Sequence, residues 1–151
     1  MPKFLSSFLF PDINVWLALS YERHIHYSIA RQWFENLGEN TRVCFCRFTQ
    51  IGLLRLLTTE ALMSKDVLNQ VQAWQVYDRW LEDSRVVFAD EPLMIEGSFR
   101  FSSQRGSPAP KDWADSYLAA FSAVAGFRLV SFDKALRTKS ESLVLLEPGP
   151  A

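Results

Sequence analysis

Three aspartates of this chain are spaced so that a fold can gather their carboxylates: Asp12, Asp115 and Asp133. Converging carboxylates repel one another, and a divalent cation offsets that repulsion. An all-oxygen ligand set favours Mg²⁺ or Mn²⁺ over softer metals. Such an ion orients a water molecule and stabilises the charge that develops on a phosphate during displacement. The three aspartates are therefore predicted to be metal ligands and catalytic residues.

Apolar and helical segments alternate along the chain and would position these aspartates. Pro11 ends the first strand, Thr49 caps the helix after the second, and Gly126 stops the last helix. The predicted strands are Phe4–Phe10, Arg42–Phe48, Val86–Phe88, Arg128–Ser131 and Leu143–Leu146. Four helices are predicted at Val15–Ser20, Gln50–Leu57, Met94–Phe101 and Trp113–Ala125. A further helix, which Gly38 closes, carries Ile29, Ala30, Trp33, Phe34 and Leu37 on its apolar face. The longest predicted helix has Ser64 as its cap. That longest helix would bury Val67, Val71, Trp74, Trp80 and Leu81. Ser102–Pro110 is predicted to be a loop and Glu147–Ala151 a tail.

Strands that alternate with helices predict a mostly parallel sheet covered on both faces, a three-layer α/β/α sandwich. Ligands of such sheets bind at the carboxyl ends of the strands. Asp12 follows the first strand, Asp133 follows the fourth, and Asp115 lies in the first turn of the helix between them. All three acids are thus expected at one edge of the sheet.

Polar neighbours of these aspartates are candidates for supporting roles. Asn14 follows Asp12 by two residues and can hold a carboxylate or a metal-bound water. Asp112 is either a helix cap or a fourth acid of the site. A turn or N-cap role is the plain alternative for Asp12 as well. Several cations flank the acidic segments and can contact phosphates: Arg47, Arg55, Lys111, Lys134 and Arg137.

Composition fits one globular domain, residues 1–151, with 48% hydrophobic residues. The net charge of −1 lacks the basic excess of many nucleic-acid-binding proteins, so that function would depend on local residues. Cys44 and Cys46 are predicted to be buried free thiols, and His24 and His26 to lie in a solvated loop. No apolar run approaches the roughly 20 residues of a membrane-spanning helix. We expect a cytoplasmic protein without a membrane partner.

Four ordered segments of the sequence resemble those of PIN domains, and most of all the VapC toxins of bacterial toxin–antitoxin pairs. They are Phe-Pro-Asp12-Ile-Asn14-Val-Trp-Leu-Ala-Leu, Thr49-Gln50-Ile-Gly-Leu-Leu-Arg55, Ala-Asp115-Ser-Tyr-Leu-Ala-Ala and Val-Ser131-Phe-Asp133-Lys-Ala-Leu. The resemblance implies an α/β/α sandwich with Mg²⁺- or Mn²⁺-dependent endoribonuclease activity on structured RNA. It also implies inhibition by a cognate antitoxin, and assembly as a homodimer.

The same resemblance assigns roles to individual residues. Asp12 and Asp115 match the two principal metal-binding aspartates of the family, Asp133 matches a third acid, and Ser131 matches a Ser or Thr that hydrogen-bonds within the site. Family members often carry a Glu on the helix after the second strand, where this chain has Gln50. We expect Gln50 to orient water or phosphate without supplying charge.

The missing Glu leaves a second hypothesis open, a catalytically impaired PIN scaffold that binds RNA or its antitoxin. A phospho-acceptor receiver domain, which also gathers aspartates at strand ends, is a weaker third alternative. It needs paired acids after the first strand, and Asp12 follows Pro11 instead.

Overall fold

The computed structural model describes residues 7–147, and a five-stranded sheet runs through its centre. The strands are β1 (Phe8–Pro11), β2 (Arg42–Phe45), β3 (Val86–Phe88), β4 (Arg128–Ser131) and β5 (Val144–Leu145). They lie in the order β3-β2-β1-β4-β5, and every neighbouring pair is parallel. The predicted parallel sheet is confirmed. The predicted start of the first strand at Phe4 and most of the predicted tail lie outside the described residues.

The strand order reverses at β1, because β2 and β3 lie on one side of it and β4 and β5 on the other. β1 and β4 are therefore neighbours in space but not in sequence. A parallel sheet opens a crevice at such a switch point, at the carboxyl ends of the strands. Pro11 pairs with Val130 in register, and the Asp12 N–H donates to the Val130 carbonyl at 2.9 Å. Asp12 and Ser131 therefore emerge side by side at this crevice.

Seven α-helices cover the sheet within the described residues. They are α1 (Ile13–Ser20), α2 (Tyr27–Glu35), α3 (Arg47–Leu57), α4 (Glu60–Met63), α5 (Gln70–Leu81), α6 (Ile95–Ser102) and α7 (Asp112–Ala125). Two 3-10 helices, Ser64–Asp66 and Lys134–Thr138, complete the chain. None of the helices between residues 7 and 147 is long and apolar enough to cross a lipid bilayer.

Two apolar cores lie on opposite faces of the sheet because successive strand residues point in opposite directions. Leu9, Val43 and Val130 pack with α1, α2, α3 and α5 in one core. Phe10, Cys44 and Leu129 pack with α6 and α7 in the other. The expected three-layer α/β/α sandwich is confirmed.

Two predicted helix boundaries are wrong. The helix predicted to end at Gly38 ends at Glu35, where the Leu37 N–H bonds to the Phe34 carbonyl three residues back at 3.1 Å and tightens the last turn. The second strand stops at Phe45, and Thr49 lies inside α3 instead of capping it. Thr49 Oγ1 accepts a hydrogen bond from the Cys46 N–H at 3.0 Å, and Cys46 is the N-cap residue of α3.

The predicted longest helix, which the structure shows as α5, has a different cap and a different buried face from those predicted. Asn69, not Ser64, caps α5, because Asn69 and Gln72 exchange side-chain to backbone hydrogen bonds of 2.8 and 3.0 Å. The helix buries Ala73 and Tyr77, whereas Val71, Trp74 and Leu81 are exposed. At 14 residues α7 is the longest helix, and it ends at Gly126 with φ +75° as expected.

Gly52 lets α3 approach α1 closely at the point where α1 begins. A Cβ at this position would meet Ile13 Cδ1 at 2.3 Å and Cγ1 at 2.6 Å. We expect Gly52→Ala to lower the free energy of unfolding by about 1–3 kcal/mol, despite the better helix propensity of Ala. Urea denaturation measures this change, and the double variant Gly52→Ala/Ile13→Ala should recover part of it. An Ala variant as stable as the wild type would contradict the close approach.

Candidate active site

Asp12 is held in one orientation by hydrogen bonds on both carboxylate oxygens. It is the N-cap of α1, and its Oδ1 accepts the Val15 N–H at 3.0 Å. Its Oδ2 accepts a hydrogen bond from the Ser131 hydroxyl. The side chain is only 9% exposed. Burial is the main reason that the pKa of Asp12 rises to about 6, against the lowering effect of these hydrogen bonds.

Ser131 links Asp12 to the backbone of Asp133. Its side chain is fully buried at the end of β4, and its Oγ accepts the Asp133 N–H at 3.0 Å. Asp133 Oδ1 in turn accepts the Ala135 N–H at 2.9 Å and caps the 3-10 helix that follows. Asp133 is exposed to solvent, so it lies at the open side of the crevice.

Asp115 is electrostatically coupled to both of the other predicted acids. Burial raises the pKa of Asp115, and the negative charges of Asp133 and Asp112 raise it further. The charge of Asp115 also contributes to the raised pKa of Asp12. The first turn of α7, which carries Asp115, is tied to the segment after Asp133 by the 2.9 Å ion pair between Asp112 and Lys139. That Asp12, Asp115 and Asp133 share one crevice remains a prediction.

Asp112 does not belong to this group, although it lies three residues from Asp115. It is the first residue of α7, not its cap, and its Oδ1 is 2.9 Å from both Lys139 Nζ and Arg105 Nη2. Ser116 Oγ also donates to Oδ2. The hydrogen bond from Lys139 is the main cause that lowers the pKa of Asp112 to about 2. The alternative in which Asp112 is a fourth metal-binding acid is thus disfavoured, since its charge is already neutralised.

Asp12, Asp115 and Asp133 differ from Asp112 in lacking such cations. Within residues 7–147, the ion pairs involve none of these three side chains. Over the same residues, no three acidic, His or Cys side chains are gathered tightly enough to surround an ion by themselves. Mg²⁺ does not require this, because it takes one or two carboxylates and keeps several waters. Lys139 lowers the pKa of Asp115 by its charge without forming an ion pair with it. Carboxylates without a directly bonded cation fit a hydrated divalent cation.

Gln50 and Asn14 have surroundings that the sequence did not indicate. Gln50 is buried, its Oε1 accepts a bond of 2.6 Å from Arg47, and it lies within hydrogen-bonding reach of Tyr77. Arg47 lies on the same helix as Gln50, three residues earlier, and Tyr77 lies on α5. Asn14 is exposed, and its backbone N–H helps to stabilise the Asp12 carboxylate.

The other sequence expectations near the crevice have mixed outcomes. Cys44 and Cys46 are buried free thiols as expected, and burial raises the pKa of Cys44 to about 12. His26 is half-buried, because its ring stacks on Phe132 with centroids 4.5 Å apart. The loop around the two histidines is therefore less solvated than predicted.

Sequence reasoning missed the cations that neutralise Asp112. Lys139 Nζ also donates to the Ser102 carbonyl at 2.8 Å, so it joins the ends of α6 and α7 to the segment that follows Asp133. The i, i+4 spacing of Asp112 and Ser116 was a detectable signal for their contact. No local pattern identifies Lys139, because its partners are distant in sequence.

A model of the PIN domain matches residues 9–141, a range that contains every residue of this crevice. The chain belongs to the PIN domain family. Ribonuclease VapC41 of Mycobacterium tuberculosis is 41% identical to it over 128 residues, covering 82% of this chain and 88% of that protein. Ribonuclease VapC39 of the same organism is 26% identical over 126 residues, covering 83% and 88%. The expected resemblance to PIN domains and VapC proteins is confirmed.

Solved structures support the same fold for this PIN domain. VapBC2 from Rickettsia felis, bound to a DNA fragment from its promoter, aligns with a TM-score of 0.66 at 13% identity, covering 91% of this chain and 96% of that one. Mycobacterium tuberculosis VapC20, described as a Sarcin-Ricin loop cleaving toxin, aligns with a TM-score of 0.61 at 14% identity, covering 86% and 93%. At these identities the likeness concerns the fold alone.

Proposed function

We propose that this PIN domain is a VapC-type endoribonuclease that hydrolyses RNA phosphodiester bonds with Mg²⁺ or Mn²⁺. The observation that carries the proposal is the repulsion among Asp12, Asp115 and Asp133: the charge of Asp115 raises the pKa of Asp12, and the charge of Asp133 raises the pKa of Asp115. A fold retains such repulsion where a bound cation offsets it. The names of the relatives VapC41 and VapC39, both ribonucleases, point to the same activity.

Each residue of the crevice has a role in this proposal. Asp12 and Asp115 bind the ion, and Asp133 completes the acidic pocket at its open side. When bound, Mg²⁺ lowers the pKa of a water ligand and stabilises charge on the phosphate. Ser131 fixes the orientation of Asp12 through its hydroxyl. Asn14 holds Asp12 through its backbone N–H, and its exposed side chain is available to a water ligand.

Gln50 has a more indirect role in this proposal than the sequence suggested. Because its carbonyl oxygen is bonded to Arg47, it positions that cation near the carboxyl end of β2. Arg47 also lies over the ring of Phe88, 4.8 Å from its centroid. We propose that Gln50 acts through Arg47, a candidate phosphate contact, and not as a replacement for the missing Glu.

A cognate antitoxin, a homodimer and a cytoplasmic location are further parts of the proposal. Two solved relatives are VapBC assemblies, from Rickettsia felis and Haemophilus influenzae. The exposed side chains of Ile51, Val71 and Trp74 on α3 and α5 provide an apolar surface for a second copy. The free thiols of Cys44 and Cys46 fit a reducing compartment.

The test is RNA cleavage by the purified chain with and without divalent metal. We expect cutting with Mg²⁺ or Mn²⁺ and none after EDTA treatment, because the carboxylates alone cannot activate water. Calorimetry should detect Mn²⁺ binding that Asp115→Asn weakens by at least about tenfold. Asp78→Asn, an exposed aspartate on α5, is the matched control and should bind the metal normally.

One observation favours the impaired scaffold as a second candidate. Gln50 stands where related sequences often carry a Glu, and its side chain is engaged by Arg47. A folded protein that binds RNA but shows neither metal binding through Asp115 nor cleavage would support the scaffold and contradict the nuclease.

A further inference from the structure

Trp113 is an exposed aromatic residue in the first turn of α7, two residues before Asp115. Its side chain is 59% exposed, a large apolar surface to leave in water. The chain buries other large aromatic side chains, such as Trp16 and Phe121, completely. The position of Trp113 therefore suggests a surface that a ligand covers.

Two clefts share Trp113 as a wall. One, of about 370 Å³, is also lined by Ser103, Arg105 and Asp112. The other, of about 450 Å³, is lined by Phe99, Arg100 and Gln104. Asp112, a wall of the first cleft, is three residues before Asp115, so this cleft lies at the end of the helix that carries Asp115.

The indole is supported from one side. The ring of Phe99 meets it edge to face, with centroids 6.2 Å apart and an interplanar angle of 67°. Tyr117 supports Phe99 in the same way at 5.7 Å and 88°. An indole ring that is supported on one side and exposed to solvent on the other can stack on a nucleobase, because every base has an aromatic face.

The surrounding segment matches the charge of a nucleic acid. Residues 99–111 contain Arg100, Arg105 and Lys111 and no acid, in a chain of net charge −1. The partners of Arg100 and Arg105 are Glu96 and Asp112, and these arginine side chains are 74% and 55% exposed. The Arg100–Glu96 pair is exposed on both sides and therefore weak, so a phosphate group can compete for Arg100. Arg105 bonds to the buried Asp112 through Nη2 and has further N–H donors that a phosphate can reach without breaking that pair.

We propose that Trp113 is a stacking platform for an unpaired RNA base, with the adjoining phosphates held against Arg100 and Arg105. The inference rests on the proposed ribonuclease function and adds to it a recognition residue for one unpaired base of the substrate. Base pairing would hide the aromatic face that Trp113 requires.

The experiment is fluorescence anisotropy with the Asp12→Asn protein in EDTA, which separates binding from cleavage. The probes are a short fluorescein-labelled single-stranded RNA of mixed sequence and the same RNA annealed to its complement. Trp113→Ala should weaken single-strand binding roughly tenfold and leave duplex binding unchanged. Trp113→Phe should retain most of the affinity because Phe still stacks. Leu62→Ala, which removes an exposed apolar side chain from α4 on the opposite face of the sheet, should have no effect.

Equal binding by Trp113→Ala, in a protein whose circular dichroism spectrum and Tm match the parent, would overturn the inference. An equal loss on duplex and single strand would do so too, since it would indicate a contact that does not need an open base. A Trp113-dependent single-strand preference in a wild-type protein that cuts nothing would support the platform while contradicting the nuclease.

Discussion

Replacing Asp12 by Asn is expected to reduce RNA cleavage at least about 100-fold, because the neutral amide is a poorer Mg²⁺ ligand than the carboxylate. The loss should appear mainly in kcat, since the phosphate contacts of Arg100, Arg105 and Arg47 lie on other elements. Single-turnover cleavage of a labelled RNA at saturating Mg²⁺ measures it.

The Asn variant should fold normally, which makes the loss interpretable. Asp12 caps α1 through an oxygen that accepts the Val15 N–H, and Asn caps helices about as well as Asp. In place of the second oxygen, the amide NH2 of Asn can donate to the Ser131 hydroxyl oxygen. Asp12→Ala is the useful comparison, because it removes both the ligand and the cap. We expect it to be as inactive as the Asn variant but less stable by about 1 kcal/mol.

Cleavage by Asp12→Asn within a few-fold of the wild type would contradict the assignment of Asp12 as a metal ligand. Asp78→Asn serves as the matched control here too, because it removes a carboxylate from the exposed face of α5. Its cleavage rate should equal that of the wild type.

The strand-end residues of the crevice could be predicted from sequence because they depend on local signals. Pro11 ends β1 and places Asp12 at the edge of the sheet, and Ser131 ends β4 in the adjoining register. Alternation of strands and helices then makes the sheet parallel, so both residues share one edge. The Trp113–Ala125 helix was recognisable from its apolar spacing and from Gly126 after it.

Other features depend on contacts between distant segments, and no local pattern reveals them. Asp112 and Asp115 look alike in sequence, yet Lys139 and Arg105 neutralise only the first. The apolar spacing around Val71 and Trp74 predicted a buried face for α5, but the side that packs on α3 carries Ala73 and Tyr77. Tyr77, on α5, lies within hydrogen-bonding reach of Gln50 on α3, a contact between two helices that no local pattern indicates.

The same Asp12→Asn substitution is expected to stabilise the metal-free protein at neutral pH. Burial raises the pKa of Asp12 from 3.8 to about 6, so the folded state binds a proton more tightly than the unfolded state does. The stability that this proton contributes is complete below about pH 4 and is lost as the pH rises through about 6. Above that range the buried charge destabilises the fold by about 3 kcal/mol, which corresponds to the size of the pKa rise. The amide of the Asp12→Asn variant carries no charge at any pH and escapes this loss.

The measurement is the difference in the free energy of unfolding between Asp12→Asn and wild type, in EDTA, from about pH 4 to about pH 8. Taking the difference removes contributions that both proteins share. The contribution of His24 is shared in this way: burial lowers the pKa of its imidazole, so its contribution to the free energy of unfolding decreases as the pH falls below 6.5. The contribution of Asp112 is shared too, since its lowered pKa makes that contribution disappear only below about pH 4.

The variant should gain up to about 3 kcal/mol relative to wild type as the pH rises over this range, because only the wild type has to ionise a carboxylate at position 12. Added Mg²⁺ should then reverse the order by stabilising the wild type alone, since an ion that binds only the folded protein raises its stability by mass action. A difference that is flat between pH 4 and pH 8 would contradict the buried, uncompensated state of Asp12. If Asp12→Asn is more stable than wild type without metal and less stable with Mg²⁺, then the buried Asp12 carboxylate destabilises the metal-free fold and a bound cation offsets that cost.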